Sequence, residues 1–313
     1  MKLKTHFGIG IGITASISIT SLFAMLPLRA KGDTSRGNEW MKGVDGATPI
    51  TALSIPGSHD AGAFYSIGDL SGKCQDLSIE EQLNAGARFF DIRLQQRSNT
   101  LHVVHGFVDQ KLSFHKVLSS FVKFLEEHNS EALIVSVKKE QEDYHSNISF
   151  DDSLKAALSP YKSIWDTSGT LPRCLEKARG KIFLISRYDN PTIGLEAFRG
   201  WEDPKEAETN NTFDIDSSNL HVQDHYKIKD IEVKKAEFNQ CLEFSRNSTN
   251  RLTLNFSSCY YVNSFPPSYA GTSAKIMNPW LIEQAKIHTN LGIIVSDFVT
   301  SSLCEAIYKR NFS

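Results

Sequence analysis

Short apolar runs recur along the chain with polar or amphipathic connectors between them. Ile50 to Ile55, Arg88 to Ile92, Leu101 to Val104, Ala132 to Val137, Lys181 to Ile185, Leu220 to Gln223, Arg251 to Phe256 and Leu291 to Val295 make eight strand candidates. Stretches such as Leu-Ile-Val, Ile-Phe-Leu-Ile and Gly-Ile-Ile-Val lack polar alternation, which is the pattern of parallel strands covered on both faces. The clearest helix spans Leu112 to His128, where Leu118, Phe121, Val122 and Leu125 repeat at helical spacing and form one buried stripe. Ser78 to Ala87 opens with the spelling of a capping box, and Asn278-Pro279 predicts a cap and a first-turn proline ahead of Trp280 to His288. Strands alternating with helical connectors in one domain predict an α/β fold, a single (β/α)8 TIM barrel. Several connectors are too short for a full helix, so the barrel is expected to be distorted.

The polar residues that follow each run change the picture from fold to site. In chain order they are Ser58-His59-Asp60, Asp91-Ile92-Arg93, His105-Gly106, Lys138-Lys139-Glu140, Arg187-Tyr188, Asp224-His225-Tyr226, Ser257-Ser258 and Asp297. Barrel active sites are built at the carboxyl ends of strands, so these residues are expected to converge on one mouth. Strand periodicity places Asp91 and Arg93 on one face, and likewise Asp224 and Tyr226. His102 and His105 face opposite ways on the same reasoning, and His105, at the strand end, is the candidate for the mouth. Most of the ten histidines need no chemical role. His59 and His105 stand out because Asp60, Asp91 and Asp297 are available to orient them.

Composition and charge bound the rest. The chain has 313 residues, 40% hydrophobic and 22% charged, which suffices for one large core. Its 34 Lys and Arg against 36 Asp and Glu leave no broad basic field for a nucleic acid or an anionic membrane, so membrane contact would rest on apolar residues. Lys2 and Lys4 followed by an uncharged stretch from Phe7 to Leu28 read as a secretory signal peptide over residues 1–30, with a catalytic barrel over 31–313. An uncleaved membrane anchor is the alternative. Five cysteines (Cys74, Cys174, Cys241, Cys259, Cys304) are scattered without metal-finger spacing, and one or two disulfides are compatible with an exported protein.

The ordered set Ser54 to Asp60, Gly86 to Arg93, Val104-His105-Gly106, Ser136 to Glu140, Lys181 to Tyr188, Val222 to Tyr226 and Val295-Ser296-Asp297 resembles the bacterial phosphatidylinositol-specific phospholipase C family, over roughly Trp40 to the C-terminus. The resemblance implies a secreted lyase, acting as a monomer on phosphatidylinositol or a glycosyl-phosphatidylinositol lipid in a membrane surface. It would release diacylglycerol and leave inositol 1,2-cyclic phosphate, without a metal or other cofactor. It further implies that His59 is the general base and His105 the general acid, that Asp297 supports His59 and Asp60 lies close to His105, that Asp91 positions these groups, and that Arg93 meets the phosphoryl oxygens. Lys138, Arg187, Asp224 and Tyr226 would bind the sugar. One departure is that the rim loops lack the tryptophans family members often carry; Phe64, Tyr65, Ile67 and Leu70 lie on one and Tyr260, Tyr261, Phe265 and Tyr269 near another. Two other readings stand beside this one: a metal-dependent phosphodiesterase built on His59, Asp60, Asp91, His105 and Asp297, against which Arg93 argues, and a lipid- or inositol-binding relative without turnover.

Overall fold

The computed structural model describes residues 37–66, 72–201, 203, 212–248, 250–262 and 269–312, all within the compact unit Lys31–Ser313. The expected leader lies outside them, as do Ile67, Leu70 and Phe265. In chain order the strands are β1 (Ile55–Ser58), β2 (Phe89–Arg97), β3 (Thr100–His105), β4 (Val108–Ser113), β5 (Leu133–Lys139), β6 (Trp165–Asp166), β7 (Ile182–Arg187), β8 (Leu195–Glu196), β9 (Thr212–Ile215), β10 (Leu220–Gln223), β11 (Lys227–Ile228), β12 (Leu252–Phe256), β13 (Tyr260–Tyr261) and β14 (Ile293–Ser296). The helices are α1 (Ile79–Ala85), α2 (Phe114–Glu127), α3 (Phe150–Leu158), α4 (Leu175–Ala178), α5 (Ile231–Asn247), α6 (Ala270–Ile287) and α7 (Ser301–Tyr308).

The strands β6, β7, β5, β2, β1, β14, β12 and β10 pair in parallel in that order, and β9 closes the row antiparallel to β10. This is the order of a TIM-like barrel that remains open on one side. Among the described residues no ladder joins β7 and β8 to β10 and β9. The parallel strands are buried along nearly their whole length, as their unbroken apolar runs predict.

Four sequence expectations change. Leu101 to Val104 is not a parallel stave: it lies in β3, which folds back antiparallel on β2 and continues into β4. The eighth parallel strand is the two-residue β6. Ile50 to Ile55 divides into a 3-10 turn at Ile50–Ala52 and the start of β1, because Pro56-Gly57 carries the pairing further along the chain. Asn278-Pro279 does not begin a helix. It lies inside α6, and the Asn278 side chain instead donates to the Asp297 carbonyl at 2.9 Å and to that of Phe298 at 3.2 Å. The cysteines form no disulfide; all five are free, four of them buried. Two other expectations match. Ser78 caps α1 with a full capping box, and α2 buries the stripe containing Leu118, Phe121, Val122 and Leu125.

At the amino ends of the strands the barrel is held by a buried ion pair. Arg88, at the entrance to β2, donates all five of its N–H groups: Nε and Nη2 to Glu131 Oε2 at 3.0 and 2.8 Å, and the others to the carbonyls of Leu83, Ala87 and Gly37. Glu131 in turn accepts from the backbone N–H groups of Met41 and Lys42. Neither side chain of the pair is exposed, so removing one partner leaves a charge in the interior. Glu131→Ala is expected to lower unfolding stability by about 3–5 kcal/mol, measured by urea denaturation. A loss below about 1 kcal/mol would mean that the site lets water in.

Candidate active site

The carboxyl ends of β1 and β14 set the first half of the site. Ser58 pairs with Ser296, and the His59 N–H continues the ladder by donating to the Ser296 carbonyl at 3.0 Å. Register alone therefore brings the next residues, His59 and Asp297, side by side, and His59 Nδ1 lies 2.7 Å from Asp297 Oδ1. Both chains then turn sharply through left-handed backbone at Asp60 (φ 40°) and Phe298 (φ 47°), conformations that cost energy for residues other than glycine. Buried Gln75 clamps the two turns together. Its Nε2 donates to the carbonyls of His59 and Ser296 at 2.8 and 3.0 Å, and its Oε1 accepts from Val299 N–H at 3.0 Å.

The second half comes from β2 and its antiparallel return. Asp91 and Arg93 share a face, as the strand period requires, and Arg93 Nε donates to Asp91 Oδ2 at 3.2 Å. The same oxygen accepts from the Asp60 N–H at 3.2 Å and so holds the strained turn. His105 reaches the mouth by the hairpin, since β3 runs back along β2 with Val103 opposite Leu94. Its Nδ1 lies 3.6 Å from Asp60 Oδ2. His102, opposite Gln95, does not line the cavity. Gly106 (φ 52°) turns the chain straight into β4 and leaves Phe107 80% exposed at the rim.

These groups open on a cavity of about 630 Å³. His59, Arg93, His105, Lys138, Arg187, Asp224, Tyr226 and Asp297 all line it, while Asp60 and Asp91 sit fully buried behind. Thus every residue anticipated for the site is in the mouth or in direct contact with a group that is. Asp224 and Tyr226 lie beyond the end of β10 rather than on it, and both still line the cavity. Arg187 carries the side of the mouth where the barrel is open: Nη2 is 3.5 Å from Asp224 Oδ2, its guanidinium lies 3.7 Å over the Trp201 ring, and Trp201 Nε1 donates to Asp224 Oδ2 at 3.0 Å. Its Nη1 is buried and has no partner among the described residues.

Charge here is concentrated and mutually dependent. Burial works against the positive charge of Arg93, but Asp91, Asp60 and Glu140 more than reverse this and hold it protonated. Burial would raise Asp91, yet Arg93 and His59 bring it down to about 2. Glu140, against the same burial, is brought to about 2 by Arg93 and Lys138. Asp60 behaves differently: burial raises its pKa, and His105, Arg93 and His59 only partly offset the shift. Neither Asp60 oxygen makes a hydrogen bond among the described residues. For His59, burial lowers the pKa, Asp297 raises it and Arg93 lowers it, and the net shift is upward. Arg93 Nη2 lies 2.7 Å from His59 Nε2. A guanidinium can only donate, so Nε2 carries the lone pair and Nδ1 donates its proton to Asp297.

Glu140, placed at a strand end by the sequence, meets Lys138 at 3.1 Å. Three participants escaped the sequence reading: Trp201, Gln75 and Cys74 carried no strand-end signal. Cys74 Sγ lies 3.7 Å from His105 Nδ1. Of the anticipated rim residues, Tyr65 is exposed beneath the Lys111 ammonium, Phe64 packs against the core, and Tyr260, Tyr261 and Tyr269 are half-buried. Phe107 was not foreseen.

Residues 47–188 match the family described as phosphatidylinositol-specific phospholipase C, X domain. Over its length the chain is similar to the bacterial members of that family. It is 28% identical over 289 residues to the 1-phosphatidylinositol phosphodiesterase of Listeria monocytogenes, covering 87% of this chain and 84% of the relative. It is 28% identical over 302 residues to the Staphylococcus aureus protein of the same name, covering 84% and 93%. Among solved structures, the Listeria phosphatidylinositol-specific phospholipase C superposes with a TM-score of 0.70 at 25% identity over 88% of this chain and 98% of that one. A Staphylococcus aureus structure reaches 0.78 at 22% identity over 89% and 98%, which speaks for the fold.

The His59–Asp297 contact yields a direct test. Asp297→Asn removes the neighbouring negative charge, so the His59 pKa is expected to fall, read as a shift of its imidazole titration by NMR. An unchanged titration would remove Asp297 as the cause of the upward shift.

Proposed function

We propose that this chain cleaves phosphatidylinositol to diacylglycerol and inositol 1,2-cyclic phosphate by general acid-base catalysis, without a metal ion. The observation that carries the reading is the placing of two imidazoles around one guanidinium: His59 Nε2 is 2.7 Å from Arg93 Nη2, and His105 meets Arg93 through the shared carboxylate of Asp60. An alcohol is a poor nucleophile and an alkoxide a poor leaving group, so each proton transfer contributes about 10²–10⁴-fold.

The free-state geometry suggests how substrate engages. The lone pair on His59 Nε2 faces Arg93, and a phosphodiester entering the mouth gives the guanidinium a better acceptor. Nε2 is then released to take the proton of the inositol 2-hydroxyl. That oxygen forms a bond to phosphorus, the bond from phosphorus to the glycerol oxygen breaks, and His105 returns a proton to the departing oxygen. Arg93 binds two phosphoryl oxygens as charge builds on them. Asp91 and Glu140 keep the guanidinium in place, and Asp297 keeps the tautomer of His59 that has its lone pair on Nε2. Using a hydroxyl of the substrate itself avoids the entropy of recruiting water.

Lys138, Arg187, Asp224 and Tyr226 supply donors and acceptors for a polyol on the far side of the cavity. Burial raises the Tyr226 pKa, so its phenol remains a donor. Phe107 and Tyr65 at the rim offer apolar contact with the lipid surface. No helix among the described residues is long and apolar enough to cross a membrane. A leader over residues 1–30 and export of the barrel are parts of the same proposal, as is action as a monomer on free or glycosylated phosphatidylinositol.

His59→Ala and His105→Ala are each expected to lose at least about 10²-fold in turnover while remaining folded, with cyclic phosphate followed by phosphorus NMR. Near-normal turnover of folded His105→Ala would exclude it as the acid. Activity is expected to persist in excess EDTA, and Arg93→Lys to be severely impaired, because a point charge cannot hold two oxygens in the guanidinium geometry. Loss of wild-type activity on chelation, with recovery on adding a divalent metal, would overturn the role of Arg93.

A further inference from the structure

Cys74 is a buried thiol inside a reaction centre that has no evident use for one. Its sulfur lies 3.7 Å from His105 Nδ1, and the same nitrogen lies 3.6 Å from Asp60 Oδ2. The donor atoms of Asp60, Cys74 and His105 all fall within 4.8 Å of one another. We propose that these three side chains form a site for a borderline divalent cation, Zn²⁺ foremost, and that loading it switches the enzyme off.

The spacing suits such an ion. A tetrahedral zinc with bonds of about 2.0 Å to nitrogen and oxygen and about 2.3 Å to sulfur holds nitrogen and sulfur about 3.5 Å apart, and nitrogen and oxygen about 3.3 Å apart. The observed nitrogen–sulfur and nitrogen–oxygen separations, 3.7 and 3.6 Å, need to close by only a few tenths of an ångström. The carboxylate is also underused, since Asp60 is fully buried and neither of its oxygens makes a hydrogen bond among the described residues. A second triad, His59, Cys74 and Asp297, shares the same sulfur. It is the weaker choice, because an ion there would have to break the 2.7 Å bond between His59 and Asp297.

The donor set also selects the metal. One sulfur, one nitrogen and one oxygen suit Zn²⁺ or Co²⁺ and do not suit Ca²⁺ or Mg²⁺, which take six or more oxygens. Arg93 Nε, 3.6 Å from Asp60, opposes any cation. The thiol answers this by losing its proton on binding, which adds a negative charge that carboxylates alone would not supply. Cys74 and His105 both line the cavity, so the ion has a route from solvent, and a water oxygen completes its coordination.

The consequence for activity rests on the reading of His105 as the acid. An imidazole bound to metal through Nδ1 cannot also become an imidazolium, so it has no ready proton for the departing glycerol oxygen. The ion is therefore an inhibitor here, not a cofactor.

Two independent readouts test this on the purified full chain. Co²⁺ added as a probe is expected to give a near-ultraviolet thiolate-to-cobalt charge-transfer band that Zn²⁺ displaces and Cys74→Ala abolishes. In the assay, Zn²⁺ is expected to inhibit, EDTA to restore activity, and Ca²⁺ and Mg²⁺ to have no effect. Cys74→Ala should need at least about tenfold more Zn²⁺ for half-inhibition. Cys74→Ser serves in both arms should the alanine variant not fold. A cobalt spectrum without the band, a band unchanged in the Cys74 variants, or equal Zn²⁺ sensitivity of wild type and variants would overturn the site. Absence of phosphatidylinositol cleavage by metal-free wild type would instead strike the proposed activity, and the cobalt band would still decide the site.

Discussion

The mouth of this barrel depends on keeping one guanidinium charged out of water. Arg93 is surrounded by Asp91 at 3.2 Å and by Asp60 and Glu140, each at 3.6 Å, and a cation so placed is stable only while its carboxylates are ionised and close. Asp91 and Glu140 meet that need, both held near 2. Asp60 is left on the margin, raised by burial and with no hydrogen bond to its carboxylate among the described residues. Its position follows from the left-handed turn that Asp91 fixes through the Asp60 N–H, so backbone strain and charge balance meet in one residue. Buried polar groups kept this far from ideal satisfaction mark function more often than stability.

The two ends of the barrel divide the labour. Arg88 and Glu131 at the amino ends are completely satisfied, with every guanidinium hydrogen used. Arg93, five residues further on, instead spreads its guanidinium over Asp91, His59 and Glu140, and Arg187 Nη1 is buried without a partner among the described residues. The satisfied pair fixes the start of β2 and, through Glu131, the entry to β5. On the proposed reading, Arg93 and Arg187 stand where a phosphodiester and a polyol would supply further acceptors. Among the described residues the ladder between β7 and β10 is missing in the same place, and there Arg187, Trp201 and Asp224 form a contact across the opening with side chains. Side-chain contacts can yield to a ligand more readily than a ladder can.

Much of this was legible because parallel strands write themselves as plain apolar runs and barrel chemistry follows directly after them. The period-2 rule placed Asp91 and Arg93 together, and the strand-end rule found His59, Lys138, Arg187 and Asp297. What failed had a common cause. His105 lines the cavity, but from a strand that is not a stave: an apolar run does not say whether it pairs parallel or antiparallel, and β3 returns along β2. The proline in α6 looked like a helix start because local caps are read without knowing that Asn278 is needed by the turn after β14. Gln75, Cys74 and Trp201 belong to loops, where no periodicity distinguishes a buried side chain from an exposed one.

Those loop residues show where pairing stops and loop packing takes over. Pairing of β1 with β14 delivers His59 and Asp297 as far as the last ladder bond, and beyond Ser296 nothing in the sheet holds the two turns together. Gln75 supplies that link with three hydrogen bonds from a single amide. Its neighbour Cys74 continues the tie by accepting the Phe298 N–H on its carbonyl at 2.7 Å, so the segment that braces the turns must also bring a side chain into the reaction centre. The Cys74 sulfur lies among the donor atoms of Asp60, His105 and Asp297, and a thiol adds no charge there at neutral pH: burial, reinforced by Asp297 and Asp60, pushes its pKa well above the ordinary value. The cluster thus keeps its charge balance so long as no metal draws off the proton, and the bracing segment and the electrostatics of the mouth become a single constraint.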